Sequence, residues 1–471
     1  MGIPAGMKFA MRAVVLVLLV SSGLALGHAQ ISSFSHIVVL VQENRTPDNL
    51  FQGLCGPQGN LCPNPYDLQN YGFNHRGQKV LLKESPLGGH TDPFHNHPDF
   101  LDLCDFDPRT QQCRMDGADK IYCSGEPKGV SCSFQYVNPS DIQPYLILVQ
   151  QYGWANYMFS TSQGGSFPGH QFLFGGTSAP SAADDAAGIF GDQVVPDRGA
   201  CGCTASKTTY VRLITPDGND KTYPCFEHKT IPDILPSDVT WRFYTSNGLR
   251  GMWTAPNAIK HICQPNQPYG GKCVGTEYVD NVDGQAADVL RDIANCNLRS
   301  VSWVVPTGQN SDHPGFTANT GGPSWIASIV NAIGTSTNCD NNTGYWNDTA
   351  IIVTWDDFGG FYDHVGPPIL PIPEGDFQLG ARVPLLVISA YTPVNYIDNN
   401  QQDFGSILRF IEQNFGIQEG ILNFADARAV NDLTTFFNLN LAPRAFVSIP
   451  APRDANYFLN DKTPPTDPDD D

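Results

Sequence analysis

The stretch of sequence that decides the fold is Thr349-Ala-Ile-Ile-Val-Thr-Trp-Asp-Asp-Phe-Gly-Gly-Phe-Tyr-Asp-His-Val-Gly-Pro-Pro368. Its first part, Ala350 to Thr354, is a short apolar and β-branched run, which is typical of a strand buried on both faces of a sheet. Two adjacent carboxylates, Asp356 and Asp357, follow directly, and a glycine pair then turns the chain. Because the working residues of open α/β sheets lie beyond the carboxyl ends of the strands, this stretch predicts half of a metal site. The alternative is a solvated acidic loop, which the surrounding aromatic, carboxylate and imidazole side chains disfavour.

A second stretch, near the N-terminus, has the same plan. Ser35-His-Ile-Val-Val-Leu-Val-Gln42 is typical of another buried strand, and it ends in Glu43-Asn44. Two such strand ends, far apart in the sequence, could converge on one metal ion. The alternative interpretation of Glu43-Asn44 is a polar turn, with Thr46-Pro47 opening a helix.

Apolar runs and helical periodicity predict the remaining framework. Buried strands are expected over Ser300–Pro306 and Arg382–Ser389. Helices are expected over Leu146–Phe159, Gly322–Ile333 and Gly405–Phe415. We find no internal repeat.

Composition limits the classes of protein to consider. The 471 residues and the 41% hydrophobic content are enough for one elaborated globular domain or two ordinary ones. The formal net charge of −20 disfavours nucleic-acid binding by phosphate neutralisation. A substrate that carries phosphate must therefore be handled locally, by a metal or a few cations.

The N-terminus resembles a secretory signal peptide, residues 1–29. Lys8 and Arg12 precede the apolar run Ala13–Leu26, and small residues favour cleavage after Ala29. A membrane anchor is the alternative, but the run is short for a span. We therefore expect a secreted or periplasmic protein with no integral membrane segment after cleavage.

Thirteen cysteines follow the predicted cleavage site. In an exported chain they predict disulfides, and their odd number leaves at least one outside an internal pair. Zinc binding is disfavoured because no CxxC occurs. Most of the cysteines lie in two regions of irregular pattern, near residues 53–135 and 180–300, and a tail rich in proline and aspartate follows over 451–471, with disorder expected at its end.

A candidate nucleophile is Ser166, which follows a glycine pair and precedes a run that could open a helix. The free N–H groups of a helix N-terminus favour negative charge, which suits a hydroxyl that attacks phosphorus. A plain Gly/Ser loop is the alternative, and the GxSxG pattern of serine hydrolases is missing.

Candidate histidines lie in two places. Gly89 to His97 contains three, of which His95 is our candidate for acid–base chemistry or metal binding, with His90 and His97 left open. His261 stands alone, and a lone histidine is more often structural.

Several short motifs together resemble the bacterial phosphoesterase family, which includes non-haemolytic-type phospholipases C and an acid phosphatase branch within the alkaline phosphatase superfamily. The motifs are Gln42-Glu43-Asn44-Arg45 with Asp48 and Phe51, Gly165-Ser166-x-Pro168, Asp312-His313-Pro314, and Trp355-Asp356-Asp357-x-Gly359-Gly360-Phe361-Tyr362-Asp363-His364-Val365. They occur in family order between about Ile37 and Ile417. Met115-Asp-Gly117, Trp241-Arg-x-Tyr244 and Arg382-Val-Pro384 are further echoes.

The resemblance implies an alkaline phosphatase-like fold over residues 30–450, a three-layer α/β/α sandwich with a central, mostly parallel sheet and disulfide-tied irregular insertions. It implies one divalent metal ion, of unknown identity, with five ligands: Glu43, Asn44, Ser166, Asp356 and Asp357. Three histidines would surround the phosphate: His95, His313 and His261. Two departures bear on substrate preference, Asp357 where many relatives have Glu, and Pro168-Gly169-His170 after the nucleophile.

The predicted function is therefore a secreted, metal-dependent phosphoric ester hydrolase of the phospholipase C or acid phosphatase type, acting through a phosphoserine on Ser166. Its substrate would be a phosphate ester, with phospholipids included. Two alternatives stay open. One is an inactive secreted binding protein of the same fold. The other is a sulfatase-like hydrolase, although Ser166-x-Pro168-x-His170 lacks the arginine of the sulfatase signature.

Overall fold

The computed structural model describes residues 33–465, apart from 56–61, 63–64, 125–131, 197–198, 216–217, 219, 247–250, 341–342, 373–374 and the side chain of residue 424. The predicted signal peptide and the last residues of the predicted tail, 466–471, lie outside these residues. Of the helices that the structure describes, none is both long enough and apolar enough to span a membrane.

The described residues form strands and short helices throughout. The strands are β1 (His36–Gln42), β2 (Tyr71–Phe73), β3 (Lys79–Leu81), β4 (Lys83–Ser85), β5 (Asp92–Pro93), β6 (Cys123–Ser124), β7 (Gln135–Val137), β8 (Gly153–Phe159), β9 (Phe190–Val195), β10 (Tyr210–Ile214), β11 (Asp220–Thr222), β12 (Trp241–Tyr244), β13 (Val282–Asp283), β14 (Val301–Val304), β15 (Thr349–Trp355), β16 (Ile369–Ile372), β17 (Gly375–Gln378), β18 (Leu385–Ile388) and β19 (Tyr396–Asp403). The helices are α1 (Pro47–Leu50), α2 (His97–Cys104), α3 (Gln143–Gln151), α4 (Ser166–Gly175), α5 (Ala182–Ala186), α6 (Lys260–Cys263), α7 (Thr276–Asn281), α8 (Asp288–Ala294), α9 (Gly321–Thr335), α10 (Phe404–Asn414), α11 (Phe424–Arg428) and α12 (Ala455–Asn460).

A central sheet of eight strands has the order β13-β12-β14-β1-β15-β18-β8-β19. Neighbouring strands run parallel, except that β18 is antiparallel to both β15 and β8. The predicted mostly parallel sheet is confirmed. Every residue of β1 and β15 is buried, as expected of strands covered on both faces.

The strand register shows which side chains share a face of the sheet. Val39 of β1 lies opposite Trp303 of β14 on one side and Ile352 of β15 on the other, so these three point the same way. Trp355 comes three residues after Ile352 and therefore points to the opposite face.

Helices cover both faces. On one face, Phe174 of α4 packs against Trp303 with ring centroids 5.2 Å apart. On the other, Tyr145 of α3 packs against Trp355 at 5.4 Å. The helix α10 contacts α4, and α9 contacts α3. This is the three-layer α/β/α arrangement that the resemblance implies.

One helix prediction was wrong over half of its length. The segment Leu146–Phe159 contains the end of α3 and then β8, which is hydrogen-bonded between β18 and β19. Six of the seven residues of β8 are buried, so this part of the segment has no exposed face that would mark it as a strand. A short run that is apolar on both faces cannot be assigned to a helix or a strand by periodicity alone.

The two irregular regions differ in character. The first carries a small core of its own, in which Phe100, Leu103 and Phe134 pack against Phe358 and Tyr362 of the loop after β15. The second is not only an insertion, because β12 and β13 within it belong to the central sheet. These strands have four and two residues, and runs this short carry little periodic signal.

Twelve of the thirteen cysteines form the predicted disulfides. The pairs are Cys55–Cys62, Cys104–Cys113, Cys123–Cys132, Cys203–Cys225, Cys263–Cys273 and Cys296–Cys339. Cys201 is buried and lies outside these pairs. The first five close loops within the irregular regions, and the sixth joins the segments that follow α8 and α9.

Part of the predicted tail is ordered by packing. Residues 455–460 form α12, and its Phe458 is buried against Trp325 of α9 with ring centroids 5.1 Å apart.

Candidate active site

The site lies at the carboxyl ends of the two central strands. Gln42, the last residue of β1, is in register with Trp355, the last residue of β15. The Asp356 N–H continues the ladder by donating to the Gln42 carbonyl at 3.0 Å. The pairs Glu43-Asn44 and Asp356-Asp357 therefore leave the sheet side by side, where the sequence placed them.

Backbone contacts hold the two pairs together. The N–H groups of Asn44 and Asp357 both donate to Asp356 Oδ1, at 3.1 and 2.9 Å. The chain then turns at Gly359, which has φ +58°, and a Cβ there would lie 2.3 Å from the Asn44 carbonyl oxygen. Only glycine permits both this backbone conformation and this close approach.

Ser166 is the first residue of α4, as the sequence suggested. Its Oγ lies 3.4 Å from Glu43 Oε2, 3.4 Å from Asp357 Oδ2 and 3.5 Å from Asn44 Oδ1. Three turns of α4 follow, so the serine also stands at the N–H end of the helix. The structure thus brings the predicted nucleophile to the predicted ligands.

The unusual Gly169 has a steric reason in this chain. A Cβ at this position would lie 2.6 Å from the Asp356 carbonyl oxygen. Glycine therefore lets α4 contact the end of β15.

His170 is a site residue that the sequence showed only as a departure. It lies four residues after Ser166, on the same face of α4. Its Nε2 is 3.0 Å from Glu43 Oε1 and 3.7 Å from Asp356 Oδ2. Burial lowers the pKa of His170, which favours the neutral ring. Its i, i+4 spacing from the predicted nucleophile Ser166 was a signal available in the sequence.

His95 and His313 both lie beside the carboxylates, fully buried. His95 Nδ1 donates to the Pro93 carbonyl at 2.9 Å, and its Nε2 accepts from Asn44 Nδ2 at 3.1 Å. His313 Nδ1 donates to the Pro314 carbonyl at 2.7 Å, and the two imidazole centroids are 6.2 Å apart. The structure thus brings both histidines next to the predicted ligand residues Asn44 and Asp357.

Asp312 explains the motif that precedes His313. Its Oδ2 accepts from the Tyr145 hydroxyl at 2.8 Å and from Trp355 Nε1 at 3.2 Å. Its carbonyl oxygen accepts from Arg45 Nε and Nη2 at 2.9 and 2.7 Å. These bonds fix a backbone with φ +69° and so set the direction of the next residue, His313.

The structure does not bring the third predicted histidine, His261, into this group. Its side chain is 31% exposed and forms ion pairs with Glu227 at 2.6 Å and Asp233 at 3.0 Å. Within the described part of the chain it contacts none of the other predicted site residues. The lone histidine is a surface ion-pair residue, which was the alternative noted from the sequence.

Crowding of carboxylates is the main electrostatic feature. Burial raises the pKa of Glu43 to about 8, burial and the charge of Glu43 raise that of Asp356 to about 8, and burial and Asp356 raise that of Asp357 to about 7. Ligand atoms of Glu43, Asp356 and His170 all lie within 4.8 Å of one another. A divalent cation fits this donor set, since it would neutralise anions that burial otherwise forces to take up protons.

A second charged cluster supports the loop after β15. Arg382 donates from Nε and Nη2 to the two oxygens of Asp363, at 2.9 and 3.0 Å. His364 Nδ1 lies 2.7 Å from Asp48 Oδ2, and its Nε2 lies 3.1 Å from Asp67 Oδ1. The cluster ties this loop to α1, which explains the Asp363-His364 and Arg382-Val-Pro384 motifs as positioning elements.

We expect His364 to make stability depend on pH. Burial alone would lower its pKa, but hydrogen bonds to Asp48 and Asp67 raise it to about 10 from 6.5. Its contribution is therefore complete below about pH 6.5 and is lost as the pH rises through 10. In thermal unfolding, the Tm difference between the parent and His364→Gln should be largest near pH 6 and narrow towards pH 10. A difference that stays constant over this range would contradict the assignment.

Comparison with known proteins identifies the class. The sequence model of the Phosphoesterase family matches residues 34–418. The chain therefore belongs to the phosphoesterase family, which confirms the predicted resemblance.

Individual relatives carry more particular names. A non-hemolytic phospholipase C of Pseudomonas aeruginosa is 25% identical over 87% of this chain and 58% of its own length. One from Burkholderia pseudomallei is 26% identical over 90% and 63%. Phospholipase C A of Mycobacterium tuberculosis is 23% identical over 89% and 79%. The chain thus spans about three fifths of the length of the first two relatives.

A solved structure is also similar. A protein in the alkaline phosphatase superfamily from Vibrio parahaemolyticus aligns over 59% of this chain and 61% of its own, with 14% identity and a TM-score of 0.32.

Proposed function

We propose that this chain is a metal-dependent phosphoric ester hydrolase that acts through a phosphoserine on Ser166. The observation that carries the proposal is the position of Ser166 Oγ. It stands at a helix N-terminus and within 3.5 Å of two carboxylates and an amide from two different strand ends. Such an arrangement serves in-line attack on phosphorus, which needs a positioned nucleophile and neutralised phosphoryl oxygens.

A divalent cation held by Glu43, Asn44, Ser166, Asp356 and Asp357 would neutralise charge on the phosphoryl group and lower the pKa of the serine hydroxyl. The protein itself supplies the remaining groups. Ser166 Oγ forms the new bond to phosphorus, and the N–H groups at the start of α4 favour the negative charge that accumulates there.

Proton transfer falls to the buried histidines. Ser166 reacts as the alkoxide, and as the ester bond breaks, protonated His313 gives its proton to the leaving oxygen while the Pro314 carbonyl holds the ring through Nδ1. Water then attacks the phosphoserine and passes one proton to His313, and phosphate or a phosphate monoester leaves with the Ser166 alkoxide and protonated His313 restored. His95 orients the Asn44 amide through the bond to Nδ2.

For the substrate we propose a phosphate ester of the phospholipase C type, because the relatives that match along most of this chain are named phospholipase C. The test is a panel of phosphatidylcholine, p-nitrophenyl phosphate and p-nitrophenylphosphocholine. Turnover of the two choline diesters would support the phospholipase type. Turnover of the simple monoester alone would identify an acid phosphatase, and no turnover of any of them would favour the inactive binding protein.

We further propose that the protein is secreted or periplasmic. The support is the six disulfides, since such bonds persist in oxidising compartments. Fractionation of the native host, followed by N-terminal sequencing of the exported protein, checks both the location and the predicted cleavage after Ala29.

A further inference from the structure

One buried side chain of the site, His170, is not explained by the phosphotransfer groups. Its Nε2 points between two carboxylates, 3.0 Å from Glu43 Oε1 and 3.7 Å from Asp356 Oδ2. Asp356 Oδ2 is fully buried and accepts no hydrogen bond from a described residue. A buried carboxylate oxygen without a donor is costly, so this small space requires a cation or a proton.

The surroundings of His170 hold its ring in this direction. Gly169 lets the first turn of α4 approach the Asp356 carbonyl, which brings the following residue close to both carboxylates. Trp253 covers the ring, with centroids 6.2 Å apart and planes inclined by 28°. A ring fixed by a helix turn and by aromatic contact is suited to present one nitrogen to one point.

We propose that His170 Nε2 is a ligand of the metal centre, together with Glu43 and Asp356, and that the centre therefore selects a transition-metal dication over Mg²⁺ or Ca²⁺. This inference rests on the metal-dependent function proposed above. Donor atoms that each lie roughly 2.0–2.2 Å from one ion are about 3–4 Å from one another. The two separations from His170 Nε2, 3.0 and 3.7 Å, fall in that range.

A ligand nitrogen from His170 changes which metal ions the centre favours. The ligand set implied by the family resemblance contains only oxygen atoms, and such a set suits Mg²⁺ and Ca²⁺. An imidazole nitrogen among carboxylates instead favours ions such as Mn²⁺, Fe²⁺, Co²⁺ or Zn²⁺. The competing arrangement has His170 donating to Glu43 from outside the centre, which leaves an all-oxygen site.

Pulsed EPR of bound Mn²⁺ tests the ligand directly. The full chain is stripped with chelator, loaded with Mn²⁺ alone and examined without substrate. We expect nitrogen modulation from one coordinated imidazole in the parent, its loss in His170→Gln, and its retention in His228→Gln. His228 is a matched control because it is also buried, yet it hydrogen-bonds to the Lys229 carbonyl away from the centre.

Competition titrations test the selectivity. Mn²⁺ should bind the parent more tightly than Mg²⁺ does, and His170→Gln should weaken Mn²⁺ binding by about 10–100-fold while changing Mg²⁺ binding much less. If His170→Gln does not fold, parent protein grown with ¹⁵N-histidine shows whether the modulation comes from a histidine, and modulation that the label leaves unchanged would overturn the proposal.

Two outcomes would overturn the proposal, and only the second would also contradict the proposed metal-dependent function. Tight Mn²⁺ binding without nitrogen modulation would remove His170 from the ligands and leave the proposed function standing. If the parent binds no divalent cation at all, the metal dependence of the proposed function fails as well.

Discussion

Replacing Ser166 by alanine is expected to reduce turnover by roughly 10⁴-fold or more, because the nucleophile and its acid–base partners act as one unit. The change removes the atom that attacks phosphorus and one of the predicted ligands. The fold should survive, since a hydroxyl whose nearest partners are 3.4–3.5 Å away contributes little packing or hydrogen bonding.

The measurement combines steady-state kinetics with rapid quench of labelled substrate and peptide mapping. The label should appear on the Ser166 peptide of the parent enzyme. Ser178→Ala is a matched control, because Ser178 is also fully buried but its Oγ donates to the Gly191 carbonyl at 3.2 Å. Its turnover should stay close to that of the parent.

Two observations together would contradict the covalent mechanism. The Ser166 peptide would carry no label, and the turnover of Ser166→Ala would stay within about tenfold of the parent, a barrier change near 1.4 kcal/mol. Ser166 would then position the substrate only.

Removing the metal is the second change with a large expected effect. Chelation should abolish hydrolysis, and adding a divalent cation back should restore it. The reason is the set of three buried carboxylates around the predicted nucleophile, which repel one another and the phosphoryl oxygens unless a cation neutralises them. Full activity in metal-free protein would end this hypothesis.

Stability offers an independent measurement of the same site. In metal-free protein the pKa of Glu43 rises from 4.5 to about 8, and those of Asp356 and Asp357 rise from 3.8 to about 8 and 7. Because the pKa of each of these carboxyl groups is higher in the folded state, their contribution to the free energy of unfolding is complete below about pH 4. This contribution is lost as the pH rises through 7–8.

The Tm of chelated protein should therefore fall as the pH rises from 4 to 8, and a divalent cation should raise Tm far more at pH 8 than at pH 5. Glu43→Gln removes one of the three carboxylates and should reduce this pH dependence. A cation effect of equal size at both pH values would show that these carboxylates do not hold the metal.

Much of the sheet could be predicted because a strand buried on both faces is a continuous run of apolar residues in the sequence. The apolar runs that became β1, β14, β15 and β18 are continuous and short, and the helices α9 and α10 show a clear period. The same pattern did not identify β8, because a short buried strand and a buried helix segment can have the same composition. It also could not show that β18 runs antiparallel, since direction depends on the connection and not on the run itself.

The site divides in a similar way. That Glu43, Asn44, Asp356, Asp357 and Ser166 lie close together could be predicted, because each stands directly at the end of a strand or the start of a helix. His261 was carried over from resemblance alone, and in the structure it contacts surface carboxylates. His170 was missed because it contacts Glu43, a residue more than a hundred positions away in the chain.

The sequence by itself determined which runs become buried strands and, through its short motifs, the resemblance to the phosphoesterase family, because apolar runs, strand ends and turn glycines are properties of neighbouring residues. Only the tertiary structure decided which groups meet. The register of β1 with β15 places the Asn44 N–H on Asp356. The approach of α4 brings His170 to Glu43, and the Arg382–Asp363 pair fixes the loop after β15. These contacts join residues far apart in the chain, so they are set by strand pairing and helix packing across the whole sheet, and no local pattern encodes them.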